Sequence, residues 1–181
     1  MGTHLRALAA AVGLLAVLAS VSCRPDQGQT VEYHPDYPFY ETPDALYERA
    51  DLVVTATVES TDGAQELFGG GADEPIVYTI FRAMALDAYK GDIDAGQVIQ
   101  VKLLGGDLDG TTYLGDQATF LEIDTTYVLF LATFPDAPAS LLNPEQAQYA
   151  ISATGELASL PDNPIQLTIA DLERLAGAGS G

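Results

Sequence analysis

The sequence predicts a mainly β protein: one small closed barrel of five strands with a short helix at each end. Five runs rich in β-branched, aromatic and other apolar residues are separated by clusters of Gly, Pro, Asp and Ser, a pattern typical of strands joined by loops. One run, Ile76 to Tyr89, is longer than most strands, so we expect it to bend as the strands of a small barrel do. Helix signals occur only before the first run and after the last.

The first 22 residues have the composition of an export signal. Residues 1–22 combine a basic start, an apolar run from Ala7 to Leu18, and small residues leading to Cys23. These are the three parts of a secretory signal peptide. The apolar run is shorter than the roughly 20 residues that a membrane-spanning helix needs. We therefore predict an extracytoplasmic protein.

Cys23 is the only cysteine, and its position suggests lipid attachment. Ser20-Val21-Ser22-Cys23, behind an apolar run, resembles the lipobox of bacterial lipoproteins, in which the cysteine is lipidated and becomes the new N-terminus. The Leu that usually lies three residues before the cysteine is here Ser20. Several acyl chains on one residue anchor a protein stably, whereas one chain is marginal. We predict that a lipid on Cys23 anchors the protein to the membrane, with simple secretion as the alternative.

The charge of the chain excludes one class of partner. Seven basic residues stand against twenty-six acidic ones, and the formal net charge is −19. Binding to nucleic acid depends on clustered Lys and Arg, so no nucleic-acid partner is expected. Such a balance is typical of a strongly solvated surface.

Residues 23–41 are predicted to form a tether rich in Pro and aromatic residues. Pro35 and Pro38 push the residues before them away from helix, so the segment should be extended. We expect its start to lift the domain off the membrane, and Tyr37 to Tyr40 to pack against the domain.

A short helix follows the tether and opens the single predicted domain, residues 42–177. Thr42 suits the N-cap, and Pro43 suits the first helical position. A second short helix is predicted at the other end, where Thr168 and Asp171 form a capping box. Gly177 is expected to end that helix, and residues 178–181 are expected to be a flexible tail. The apolar residues Ile169, Leu172 and Leu175 should face inward.

The first two strands are predicted at Asp51 to Val58 and at Ile76 to Tyr89. Ser60 to Pro75 lies between them and contains three consecutive glycines and four acids. It has neither the Lys nor the following helix of a phosphate-binding loop. We therefore interpret this segment as a connecting loop.

The second and third strands form a ribbon that reverses at Lys90-Gly91-Asp92. We expect Gly91 to supply the positive φ of that turn. In Val98 to Leu104 every second residue is apolar, which predicts a half-exposed antiparallel strand. The inward residues are Ile99, Val101 and Leu103, and the outward ones are Gln100 and Lys102.

The second half of the domain contributes the remaining two strands. In Thr126 to Thr133 the odd-numbered and the even-numbered positions are both largely apolar, which predicts a strand buried on both faces. Gln148 to Thr154 is predicted to be the last strand. Asp107 to Asp124 and Pro135 to Pro144 are assigned to loops.

Five strands with a bent second strand and peripheral helices match the barrel of the oligonucleotide/oligosaccharide-binding (OB) type, which has that count. A small β-sandwich is the alternative. It would need two more strands, and Asp116 to Ile123 would supply one of them.

Four short motifs support the OB-like assignment by resemblance. In their order and spacing they resemble a group of exported bacterial proteins with a small OB-like barrel, and more distantly the barrel of tissue inhibitors of metalloproteases. The resemblance covers Thr42 to Gly155 and implies the fold. The group usually has Gly where this chain has Ala56, and the inhibitors act through an N-terminal cysteine held by disulfides, a group that is missing here. The four motifs are Ala50-Asp51-Leu52-Val53-Val54, Tyr89-Lys90-Gly91-Asp92, Gly105-Gly106 and Tyr127-Val128-Leu129-Phe130-Leu131.

No catalytic, cofactor or zinc site is predicted. Once the signal peptide is removed, His34 is the only histidine, and it lies in the tether. The domain has no cysteine and no G-x-S-x-G motif, so the parts of a Cys–His or Ser–His–Asp site are absent. Zinc needs clustered His or Cys ligands.

The acidic segment 107–124 leaves a calcium site open as an alternative to a solvated loop. It gathers hard oxygen ligands but fails the EF-hand pattern, since position six is Thr112 rather than Gly and position twelve is Ala118 rather than Glu. The candidate ligands are Asp107, Asp109, Asp116, Glu122 and Asp124.

Taken together, these features favour a non-catalytic binding or interaction module at the cell surface, with an unknown protein or small-molecule ligand. The alternatives are a hydrolase that uses a carboxylate pair and a calcium-stabilised structural protein of the cell envelope. Two acids converging in an apolar cleft would indicate the hydrolase. Acids scattered over the outside would indicate the binding module.

Overall fold

The structure, a computed structural model, describes residues 28–67, 75–115 and 120–178. Within them the fold is mainly β, as predicted, with ten strands in two sheets and two helices. The predicted signal peptide, Cys23 and most of the predicted tail lie outside the described residues. The strands are β1 (Gln29–Tyr33), β2 (Leu52–Leu67), β3 (Ile76–Lys90), β4 (Val98–Leu104), β5 (Gly106–Leu108), β6 (Thr111–Gly115), β7 (Thr126–Phe134), β8 (Ala137–Leu141), β9 (Gln148–Ile151) and β10 (Leu157–Ser159), and the helices are α1 (Pro43–Arg49) and α2 (Ile169–Ala178).

The larger sheet contains a closed circuit of five paired strands. Its order is β10-β9-β7-β2-β3-β4-β8, and β7 also pairs with β8. The pairing therefore runs from β7 through β2, β3, β4 and β8 and returns to β7. The β4–β8 contact is parallel and joins Val101 to Ala139 and Lys102 to Ser140, whereas the other contacts of the circuit are antiparallel. The smaller sheet has the order β1-β6-β5.

The two long strands β2 and β3 carry the bulges of the circuit. Their register shifts at four points, leaving Glu59 and Asp62 unpaired in β2 and Leu86 and Tyr89 unpaired in β3. A bulge bends its strand and increases the local twist. Bulges thus occur in the strand that the sequence predicted to bend, and also in its partner.

Three segments that the sequence assigned to loops contain strands. Residues 60–67 continue β2, residues 107–124 include most of the β5–β6 hairpin, and residues 135–144 include β8. The β5–β6 turn is Asp109-Gly110, with φ of 50° and 80°, the dipeptide typical of a tight hairpin. These segments are polar or short, so they lack the hydrophobic period of a strand, although β5, β6 and β8 each pair with a strand close by in the sequence. The fifth strand of the circuit is accordingly β8, and not the predicted strand at Gln148 to Thr154.

The core has the composition that the sequence predicts. Tyr127 to Leu131 are all buried, so β7 is covered on both faces, as predicted. In β4 the three predicted inward residues are buried, while Gln100 is exposed and Lys102 is half-buried, so the predicted alternation is also confirmed.

The segment before α1 is joined to the rest of the chain through β1 and again near Tyr40. β1 pairs in parallel with β6, although the sequence assigned this stretch to the tether. Further on, Tyr40 is buried, and its main-chain N–H and C=O both bond the buried side chain of Gln146, at 2.9 and 2.8 Å. A single amide side chain therefore pairs with Tyr40 as a neighbouring strand would.

The caps of both helices follow the sequence prediction, with one exception. Thr42 Oγ1 accepts a hydrogen bond from the N–H of Ala45. Thr168 and Asp171 exchange hydrogen bonds as a capping box. The prediction that Gly177 ends α2 is wrong: the helix runs through it to Ala178, and Gly177 is not among the residues with positive φ. Neither helix of the described residues is long and apolar enough to cross a membrane.

The turn at Lys90-Gly91-Asp92 lies against the start of β2, so two of the four motifs, those that contain Asp51 and Gly91, meet in space. Gly91 has the predicted positive φ of 89°, and a Cβ there would lie 2.9 Å from the carbonyl oxygen of Asp51. The Nζ atom of Lys90 donates to the carbonyl oxygens of Tyr47 and Glu48, both at 2.8 Å, at the C-terminal end of α1. Lys90 therefore fastens α1 to the end of β3.

Candidate functional site

The predicted lipid-attachment residue, Cys23, lies outside the described residues. So does Asp116, one of the five candidate calcium ligands. Of the other four, Asp107 accepts a hydrogen bond from Thr112 Oγ1 at 2.6 Å, and Asp109 occupies the β5–β6 turn. Within residues 28–67, 75–115 and 120–178, no three His, Cys, Asp or Glu side chains are grouped to hold a metal ion.

The acidic side chains of the described ranges are spread over the outside of the molecule. Every one of them is exposed except Glu145 and Asp171, which are half-buried. Asp171 caps α2 through Thr168. Within these ranges no carboxylate is buried in an apolar cleft, which is the setting that the hydrolase alternative needs.

The outward side of β3 and β4 presents a different set of side chains. Lys102 lies on β4 with its Nζ atom 4.6 Å from the ring centroid of Phe134 and 5.4 Å from that of Tyr78. Both distances are within the range of cation–π contacts. We call this surface, made by Lys102, Tyr78, Gln100 and Phe134, the Lys102 face.

Lys102 has no hydrogen-bond acceptor among the residues that the structure describes, and none of their carboxylates lies within ion-pair distance. The two rings partly shield the ammonium group from water, and this desolvation lowers the pKa of Lys102 below its ordinary value. The other lysine of the chain, Lys90, donates to two carbonyl oxygens. Lys102 is thus a partly desolvated cation with three unused donors.

The neighbouring surface is rich in tyrosine. Tyr33 of β1 stacks on Tyr113 of β6 with ring centroids 6.0 Å apart, and its hydroxyl accepts a hydrogen bond from the N–H of Val77. Burial, together with the nearby Tyr78 phenol, raises the pKa of Tyr37. The pKa of Tyr78 is raised by burial and by Tyr33. The smaller sheet, together with the segment between β1 and α1, therefore extends the Lys102 face with aromatic side chains.

A cleft of about 430 Å³ adjoins the Lys102 face where β4 and β8 separate beyond their two paired residues. This volume falls in the range of small-molecule sites. Phe134, 46% exposed, belongs both to the cleft and to the Lys102 face. The wall also carries Asp92, which is exposed, together with Gln100 and Thr133, and these side chains supply hydrogen-bonding groups beside the apolar residues of the lining.

A polar cluster of Asp62, Arg82 and Gln100 borders the Lys102 face. Asp62, which bulges out of β2, lies 3.8 Å from Arg82 and accepts a hydrogen bond from Gln100 Nε2 at 3.0 Å. Arg82 is therefore paired with a carboxylate, whereas Lys102 has no carboxylate partner in the part of the chain that the structure describes. Gln100 keeps its carbonyl oxygen and one N–H for other partners.

Sequence reasoning placed Lys102 and Gln100 on the outward side but did not connect them with Phe134 or Tyr78. Lys102 and Phe134 are 32 positions apart and meet because β4 and β7 both pair with β8. A lysine on the polar side of an alternating strand gives no signal beyond solvent exposure. The excess of acids over bases does not indicate which lysine will lack a carboxylate partner either.

No protein-family model matches this chain, and a search of curated proteins finds no match either.

Proposed function

We propose that this protein is an exported, lipid-anchored module of the cell surface that binds a ligand without catalysis, on the Lys102 face of an OB-like barrel. The observation that carries the proposal is Lys102 itself: a cation between two aromatic rings, with no acceptor among the described residues, beside a 430 Å³ cleft. Such an arrangement contributes little to folding, because the gain from the cation–π contacts is offset by the partial desolvation of the charge. It is suited to receiving an acceptor from outside.

The circuit of strands supports the OB-like barrel over the sandwich alternative. Its five strands close on themselves, with one parallel contact between the third and the fifth along the chain, β4 and β8. An OB-fold is a five-stranded, partly open Greek-key barrel that binds oligonucleotides and oligosaccharides on the face of its second and third strands. In this circuit those strands are β3 and β4, which carry the Lys102 face.

The distribution of acids favours binding over hydrolysis. The described acids lie on the outside, and none is buried beside a second one in a cleft. A net charge of −19 also argues against a nucleic-acid ligand, although the OB-fold often takes one.

The anchor is the second part of the proposal, and it is carried by the sequence of residues 1–23. If Cys23 is acylated, labelling cells with a fatty-acid analogue will tag the wild-type protein and leave Cys23→Ala untagged. Release of the untagged wild-type protein into the medium would instead indicate simple secretion.

Binding at the Lys102 face can be tested with the two lysines of the chain. An amine reagent acylates exposed lysines, and peptide mass spectrometry reads Lys90 and Lys102 separately. We expect a cell-envelope fraction to slow the acylation of Lys102, while that of Lys90 stays unchanged because it is held by α1. Equal labelling rates of Lys102 with and without the envelope fraction would contradict the proposed binding face.

A further inference from the structure

We infer that the ligand of the Lys102 face is a saccharide carrying a carboxylate group, whose ring packs on Phe134 and whose carboxylate pairs with Lys102. The inference rests on the proposed binding function and names its ligand class.

The ammonium group of Lys102 favours an anionic group on the ligand. Lys102 has three donors and no partner among the described residues, and the rings of Tyr78 and Phe134 exclude part of its water. A charge-assisted hydrogen bond is stronger than a neutral one, and a carboxylate forms it well in a partly desolvated place. A single carboxylate suffices. A long, densely charged polyanion such as a nucleic acid would meet the repulsion of a chain with net charge −19.

The rings and the cleft suit a sugar. Phe134 is 46% exposed and Tyr78 is half-buried, so both keep surface on which the apolar face of a pyranose can pack. The cleft beside Phe134 offers Asp92 as an acceptor and Gln100 and Thr133 as donors and acceptors for hydroxyl groups. Asp92 would repel a carboxylate within the cleft, so the carboxylate is expected on the Lys102 side of Phe134.

A peptide is a poorer match to this surface. Peptides that extend a sheet need a strand edge with unpaired main-chain groups. β4 has β3 on one side, and β8 pairs on the other side at Val101 and Lys102, so β4 offers no free edge at these two residues. Recognition must come from side chains that point away from the sheet, and these are rings, an ammonium group and an amide.

The test uses three probes and four proteins. The probes are a trimer of galacturonic acid, the same trimer as its methyl ester, and triglutamate, each titrated by calorimetry in calcium-free buffer. The proteins are the wild type, Lys102→Gln, Phe134→Ala and Arg174→Gln. Arg174 is exposed and pairs with Asp44 far along the chain, so its variant removes one positive charge without touching the Lys102 face. Thermal unfolding of each variant checks that it is folded.

We expect the free-acid trimer to bind the wild type and Arg174→Gln alike, with a Kd on the order of 1 mM or lower. Methyl esterification, Lys102→Gln and Phe134→Ala should each weaken binding by about tenfold or more, since each removes a charge-assisted hydrogen bond or a packed ring. Equal binding of the acid and the ester, or equal binding by Lys102→Gln, would overturn the inference.

The outcomes also separate this inference from the proposed function. Triglutamate binding that depends on Lys102, without trimer binding, would overturn the saccharide and leave the binding face standing. Protection of Lys102 by the envelope fraction without binding of any probe would likewise overturn the saccharide and leave the binding face standing. Absence of both protection and probe binding would overturn the inference and the proposed function together.

Discussion

The two lysines of this chain have different surroundings, and the contrast shows how context determines what a side chain can do. Lys90 Nζ lies 2.8 Å from two carbonyl oxygens at the end of α1 and 5.3 Å from the ring centroid of Tyr47. A cation at a helix C-terminus is stabilised by the orphan carbonyls and by the helix dipole. Among the residues that the structure describes, the ammonium group of Lys102 lies near the rings of Tyr78 and Phe134 and has no hydrogen-bond acceptor. Lys90 therefore stabilises the fold, whereas Lys102 is the lysine for which we propose a ligand.

Replacing each lysine with methionine, which keeps much of the apolar stem, should separate the two roles. We expect Lys90→Met to lower the free energy of unfolding by about 1–2 kcal/mol, because two charge-assisted hydrogen bonds are lost at a half-buried site. Lys102→Met should leave it unchanged within about 0.5 kcal/mol, or raise it slightly, because a desolvated charge is removed. Urea unfolding measures both. An equal loss in the two variants would mean that Lys102 also has a structural role.

The pKa of Lys102 provides a test of its environment. Desolvation lowers it, so the folded protein releases this proton at a lower pH than the unfolded chain does. Stability should therefore rise with pH in the interval between the lowered pKa and the ordinary lysine value, where the unfolded state binds more protons. NMR titration of the Lys102 Cε signal should place its midpoint below 10.5. Phe134→Ala should move the midpoint back toward that value; no change would show that Phe134 does not desolvate Lys102.

Among the elements, the turn between β3 and β4 holds α1, β2 and β3 together. Gly91 has φ of 89° and approaches the main chain at Asp51, while Gly96 has a similar φ of 87° with nothing within 4 Å of its missing Cβ. The two glycines of one turn therefore differ in surroundings and not in backbone conformation.

This pair gives a matched experiment on the turn. Gly96→Ala should cost about 1–2 kcal/mol, the price of a left-handed conformation for a residue with a Cβ. Gly91→Ala should cost more, because its Cβ would also meet the carbonyl oxygen of Asp51 at 2.9 Å, a main-chain atom that cannot move aside cheaply. Chemical denaturation compares the two variants. Equal losses would show that the approach of Gly91 to Asp51 relaxes without cost.

At the level of the whole molecule, buried tyrosines make stability depend on alkaline pH. Burial raises the pKa of several of them, and Tyr149, which is fully buried with its hydroxyl donating to the carbonyl of Ile165, is raised to about 12. The folded state keeps this proton above pH 10, where the unfolded chain loses it. The contribution of protonated Tyr149 to the free energy of unfolding is fully present below the unfolded pKa of 10.0 and is lost as the pH rises to about 12.

We therefore expect the free energy of unfolding to fall between about pH 10 and 12, with Tyr149 contributing at most about 1.4 kcal/mol per pH unit. In Tyr149→Phe that part of the slope should disappear. The variant itself should lose about 1 kcal/mol at neutral pH through the missing hydrogen bond. Urea unfolding at a series of pH values gives both quantities. An unchanged alkaline slope would show that Tyr149 ionises without unfolding the protein.

The sequence by itself determined the features that depend on neighbouring residues: the mainly β class, the alternation of β4, the buried run of β7, the positive φ of Gly91 and the N-caps of both helices. Periodicity, caps and turn residues act over a few positions, so they can be recognised in the sequence alone. Tertiary structure alone decided that β8 and not β9 completes the circuit, that Lys90 ends up at the end of α1, and that Lys102 comes to rest between Tyr78 and Phe134. The β4–β8 pairing and the contacts of the two lysines join residues 24 to 43 positions apart. They depend on which strands pair through the main chain, and main-chain groups are the same in every residue but proline, so the side-chain pattern does not indicate these pairings.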